Sequence, residues 1–127
     1  KTPKELAWIF VLESGLGTRV FDDAMAKGQL SGQPPAAPEK WSDLLAALEK
    51  GHKDFAEVVR NTSDEDMLKT VTFLVGPKQP GPVRRIDFAW FLLMDEIHHR
   101  GQFSQHLRMV GGKVPSIYGP TEDEPWM

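Results

Sequence analysis

The chain has 127 residues, 15 Lys+Arg against 18 Asp+Glu, and a formal net charge of −3. That balance excludes a nucleic-acid binder working through a basic face, and the zero Cys count excludes zinc fingers, iron–sulfur clusters, Cys nucleophiles and disulfide scaffolds together. Hydrophobic residues at 40% are enough for a core, the chain reads as one domain over 1–127, and no apolar run approaches the ~20 residues of a membrane span. The opening Lys1-Thr2-Pro3-Lys4 is no signal peptide, so a cytoplasmic protein is expected.

Thr2-Pro3-Lys4-Glu5 reads as a helix start. Thr2 caps, Pro3 suits the first turn, and Glu5 stands where a capping-box acid belongs. Leu6, Ile9, Phe10 and Val20 then fall near one face, which predicts helix A over about 3–27. Gly15 and Gly17 point to a kink or a close helix–helix approach. The Gly/Pro-rich stretch 28–38 is a surface loop between two helices, since Pro34, Pro35 and Pro38 lack the donors a helix needs.

Helix B is the clearest. Trp41, Leu45, Leu48, His52, Phe55 and Val59 step by 4, 3, 4, 3, 4, the seam of a packed bundle helix. Asn61 ends it, and Ser63 starts a short acidic helical turn over Met67-Leu68. The alternating run Thr70 to Val75 and then Val83-Arg84-Arg85 fit a hairpin. An isolated two-stranded ribbon is marginal, so an extended connector is expected.

Helix C runs from about Arg85 to Val110 and stops at Gly111-Gly112. It carries an apolar seam, Ile86, Trp90, Leu93 and Ile97, and a second one through Phe88, Leu92, Asp95, His99, Gln102, His106 and Met109. The tail from Lys113 is expected to be irregular and to pack Ile117, Tyr118 and Trp126 onto the helices.

The polar middle of that second seam carries the candidate chemistry. Buried polar groups are costly unless paired or bound. Asp95 and His99, four apart, share a face and suit a common divalent metal, or else form a hydrogen-bonded structural clamp. Glu13, one turn after Ile9 on the inward side of helix A, is the third candidate ligand; its alternative is an ion pair with Arg100 or Arg19. His106 and Gln102 are the candidates for orienting substrate or water. His98 and His52 are read as structural, and Trp8, Phe10, Trp41, Phe88, Trp90 and Phe91 as core or dimer contacts. No phosphate loop, Ser elbow or HExxH motif is present.

Asp95-Glu-Ile-His-His-Arg-Gly-Gln102, then Leu107-Arg108-Met-Val-Gly-Gly-Lys-Val-Pro-Ser-Ile-Tyr-Gly-Pro120, together with Thr2-Pro-Lys-Glu-Leu-Ala-Trp8, resembles the DinB-like (damage-inducible) family. The resemblance implies an all-α, antiparallel four-helix bundle. Helices A, B and C would be its second, third and fourth, the first would precede Lys1, and an apolar face would stand bare without it. It also implies a divalent metal held by three His. In this sequence those positions fall on Ile9, Asp95 and His99, so the pattern is degraded, and Glu13 is the substitute for Ile9 with Zn²⁺, Ni²⁺ or Mn²⁺ as candidates. Some members resemble thiol-dependent transferases. The function implied is a metal-dependent transferase or hydrolase of a small molecule, working as a homodimer. The alternative is a non-catalytic bundle that dimerises or binds a partner. The damage-inducible label brings no support for DNA binding.

Overall fold

A computed structural model describes residues 1–23 and 34–127 of the chain. Among them α1 spans Pro3–Val20, α2 Trp41–Asn61, the one-turn α3 Asp64–Met67, and α4 Arg85–Met109. Two strands, β1 (Thr70–Gly76) and β2 (Gln79–Arg84), lie between α3 and α4. The protein is therefore mostly helical rather than all-α.

The capping box forms as the sequence predicts. Thr2 Oγ1 accepts from Glu5 N at 3.2 Å, and Thr2 N donates to Glu5 Oε2 at 2.7 Å. Helix α1 ends at Val20, short of the expected 27, and 24–27 lie outside the described residues, as does most of the loop read over 28–38. The stop has a physical cause. Arg85, fully buried, donates from Nε to the Val20 carbonyl at 3.1 Å and from a terminal nitrogen to Asp23 at 2.7 Å. A cation on the last carbonyls of a helix satisfies groups that another turn would otherwise take.

The helices are not uniformly antiparallel. Lys4 Nζ donates to Glu39 O just before α2, Gly51 lies against Ser14, and Phe55 lies against Gly17, so contacts on α2 advance as those on α1 advance. Helices α1 and α2 thus run parallel. Helix α4 runs against both, with Val20 beside Arg85, Gly17 beside Leu92 and Glu13 beside His99. The roughly 27 Å length of α1 explains this: the chain between Val20 and Trp41 is long enough to return along the whole helix, where a short loop would force an antiparallel neighbour. Gly17 is the point of closest approach, since a Cβ there would lie 2.7 Å from Phe55 and 2.9 Å from Leu92. Gly15 faces open space.

The expected connector is a hairpin. Its antiparallel register sets Val71 opposite Val83 and Phe73 opposite Gly81, with an irregularity between Leu74 and Gly76. Lys78 turns the corner with φ 59°. The ribbon holds because it is not isolated: Phe73 meets Phe88 edge-on at 4.8 Å, and Val71 joins Val20, Phe88 and Leu92 in the core. Pro80 and Pro82 are tolerated because β2 pairs on one side only.

Two further expectations are corrected. The stripe on α2 lies partly in solvent: Trp41, Leu45 and His52 are exposed, and the helix's one fully buried side chain is Leu44. The tail folds largely on itself and meets α4 through polar contacts, Asp123 with Arg108 and Tyr118 with Arg100, rather than through buried apolar side chains. Trp126 donates to Ser116, Asp123 holds Val114 N and Arg108, and Ile117, Tyr118 and Trp126 remain exposed.

Candidate metal centre

Glu13 faces inward from the third turn of α1 because its helix presents Leu6, Ala7, Gly17 and Val20 on the same buried side. Helix α4 buries Arg85, Phe88, Leu92 and His99, and Asp95 stands half-buried one turn before His99. The antiparallel crossing of the two helices brings these three polar groups together. One donor atom from each of Glu13, Asp95 and His99 lies within 4.8 Å of the other two. His99 Nδ1 is 3.2 Å from Glu13 Oε1 and 3.7 Å from Asp95 Oδ1. Donors of a tetrahedral ion bound at ~2.1 Å lie about 3.4 Å apart, so little adjustment separates this arrangement from a coordination shell.

The electrostatics are unsettled without a cation. Burial, with the Asp95 carboxyl beside it and Glu96 nearby, pushes the Glu13 carboxyl up to about 8. Its Oε2 is buried without a hydrogen-bond partner among the described residues. A pure clamp through His99 Nδ1 satisfies Oε1 and leaves Oε2 orphaned. Two carboxylates and a neutral imidazole carry −2, which matches a divalent ion, and the oxygen-rich set suits Zn²⁺ or Mn²⁺. The residues present therefore fit the group.

The other sequence candidates separate from this cluster. Gln102 is exposed and donates to His98 Nε2 at 2.9 Å, a pair formed within α4 on its outer side. His106 is half-buried near the end of α4, seven residues and roughly 10 Å past His99 along the axis. Neither stands in the Glu13–Asp95–His99 group. Ile9 is half-buried one turn before Glu13, so the α1 donor sits four residues along from the position the family pattern marks. Arg100, named as an alternative partner of Glu13, instead stacks on the Tyr118 ring at 4.8 Å and bonds to its hydroxyl.

Glu96 was missed from sequence. It accepts from or shares a proton with His52 Nε2 at 3.0 Å, linking α2 to α4. The pairing depends on helices 44 residues apart, so no local spacing announces it. Below that pair lies a cavity of about 480 Å³, with Glu13 and Ser14 at its floor and Phe55, Val59, Leu92 and Leu93 among its walls. A larger cavity of about 640 Å³ lies beyond the C-terminal end of α1 and is rich in carboxylates. Three of them are already neutralised, Asp23 by Arg85 and Lys69, Asp54 by Lys50 and Asp66 by Lys69. Glu13 Oε2, by contrast, is buried without a partner among the described residues.

A comparison with curated proteins finds the uncharacterised protein YrdA of Bacillus subtilis (strain 168), 25% identical over 123 residues, covering 94% of this chain and 67% of YrdA. No helix among the described residues is long and apolar enough to cross a membrane. The profile of the DinB superfamily matches residues 6–103, a stretch that holds all of Glu13, Asp95 and His99. The chain belongs to the DinB superfamily.

Proposed function

We propose that the protein is a divalent-metal protein acting on a small molecule, with Glu13, Asp95 and His99 as the protein ligands. The observation that carries this reading is the orphaned Glu13 Oε2 inside a group of three converging donors. A buried carboxylate oxygen with no partner costs on the order of 1–3 kcal/mol, and a cation removes that cost. The bound ion would supply Lewis acidity and would lower the pKa of a thiol or water placed on it.

The chain's own residues do the rest. His99 is held from one side by Phe10, edge-on at 6.5 Å, so its ring is fixed before any ligand arrives. The cavity beside Glu13 is mostly apolar, and the walls Phe55, Leu92 and Leu93 would take the body of a small substrate and exclude water from around Glu13. The His52–Glu96 pair, 3.0 Å apart, stands at its edge and ties α2 to α4 there. Transfer of a group to or from a low-molecular-weight thiol, or hydrolysis, fits such a site, and the absence of Cys from the chain is no obstacle when the thiol is the substrate.

The test is elemental analysis of protein purified without added metal, with titration of Zn²⁺ and Mn²⁺ into chelator-treated protein. Stoichiometric uptake lost in both Glu13→Gln and His99→Leu supports the reading. If no divalent ion binds, and His99→Leu leaves the melting temperature unchanged, the cluster is a structural clamp and the metal reading fails.

A further inference from the structure

The three donors at the crossing of α1 and α4 are two carboxylates and one imidazole. His99 Nδ1 is 3.2 Å from Glu13 Oε1 and 3.7 Å from Asp95 Oδ1, near the edge lengths of tetrahedral and octahedral shells alike, so spacing does not choose the ion. Donor chemistry does. Imidazole nitrogen suits Zn²⁺, whereas carboxylate oxygen and water suit Mn²⁺. No Lys or Arg pairs with Glu13 or Asp95 among the described residues, and Arg100, next in sequence to His99, is turned to Tyr118. Both carboxylates therefore face an ion with their charge uncompensated. No second nitrogen is at hand, since His52 is engaged by Glu96 and His98 by Gln102. The remaining positions on an ion fall to water. The Asp95 side chain, 35% exposed against 9% for Glu13, and the cavity that reaches Glu13 both admit it.

We propose that Asp95 is the residue that sets the ion preference, making this an oxygen-biased site that takes Mn²⁺ with water completing its shell. The inference rests on the reading that Glu13, Asp95 and His99 hold a divalent ion, and adds which ion and why. Two carboxylates neutralise Mn²⁺ without stripping all of its water. Zn²⁺, offered a single nitrogen, loses most of the advantage that imidazole donors give it. Exchanging one imidazole for one carboxylate narrows the preference for Zn²⁺ over Mn²⁺ roughly tenfold. Asp95 is the donor at which that exchange can be reversed, because it is the most exposed of the three and its one close contact is His99, one turn on.

Competitive titration of chelator-treated protein with Zn²⁺ and Mn²⁺ gives the ratio of their dissociation constants. Asp95→His should tighten Zn²⁺ and widen that ratio on the order of tenfold. Asp95→Asn keeps an oxygen and removes its charge, so it should weaken both ions and leave the ratio within about threefold of the unsubstituted chain. Circular dichroism of both variants should match that chain. Water-proton relaxation of the Mn²⁺-loaded, unsubstituted chain should report roughly two or three waters on the ion. A folded Asp95→His whose ratio is unmoved overturns the proposal. Bound Mn²⁺ that carries no water overturns it without recourse to either variant. Uptake of both ions with an unmoved ratio sinks this inference and spares the metal reading, whereas uptake of neither ion sinks both.

Discussion

His99 Nδ1 lies 3.2 Å from Glu13 Oε1, across 86 residues of chain and between two helices running in opposite directions. Asp95 Oδ1 approaches the same nitrogen at 3.7 Å. One imidazole nitrogen between two carboxylates, one of them with a spare buried oxygen, is the arrangement on which the functional reading stands.

Metal should stabilise the fold measurably. At a free concentration a hundred times the dissociation constant, linkage gives about 2.7 kcal/mol. For a domain of this length that is a rise in melting temperature of roughly 10 °C. Differential scanning calorimetry with and without Zn²⁺ or Mn²⁺ checks it, and Glu13→Gln should abolish most of the rise.

The metal-free protein should lose stability as pH rises through neutrality. Burial and the neighbouring Asp95 carboxyl raise Glu13 from 4.5 to about 8 in the fold. Between those values the folded state holds a proton that the unfolded state has released. The contribution is complete below about 4.5 and is lost as pH climbs through about 8. Urea melts at pH 5.5, 7 and 8.5 in chelator should show a falling midpoint, and Glu13→Gln should flatten the trend. Metal affinity should run the other way, rising with pH, because binding expels that proton.

The two glycines of α1 should respond in opposite senses. Gly17→Ala places a methyl 2.7 Å from Phe55 and 2.9 Å from Leu92, so it should destabilise by roughly 1–3 kcal/mol. Gly15→Ala meets open space and should stabilise by about 0.5–1 kcal/mol. Chemical denaturation of both variants decides the point.

The hairpin should depend on one ring. Phe73→Ala removes the edge-on contact with Phe88 and the contact with Phe91, and should cost on the order of 2–3 kcal/mol. Hydrogen exchange should show β1 and β2 amides losing protection before those of α4.

The sequence by itself determined the local features. The Thr2–Glu5 capping box, the extent of helix B, the stop of helix C at Gly111 and the shared face of Asp95 and His99 all follow from neighbours within a few residues. The resemblance to the superfamily rested on a contiguous motif and was legible for the same reason. Tertiary structure decided what depends on partners far along the chain. It ended α1 at Val20 by delivering Arg85 to its last carbonyls, made a stable ribbon of β1 and β2 by laying Phe73 on Phe88, and turned α2 parallel to α1. It also separated Gln102 from the stripe that spacing assigned to it, because a step of three residues puts Gln102 roughly 60° around the helix from His99, on the solvent side. Glu13 joined the site through the crossing of α1 and α4, a relation that local periodicity does not encode.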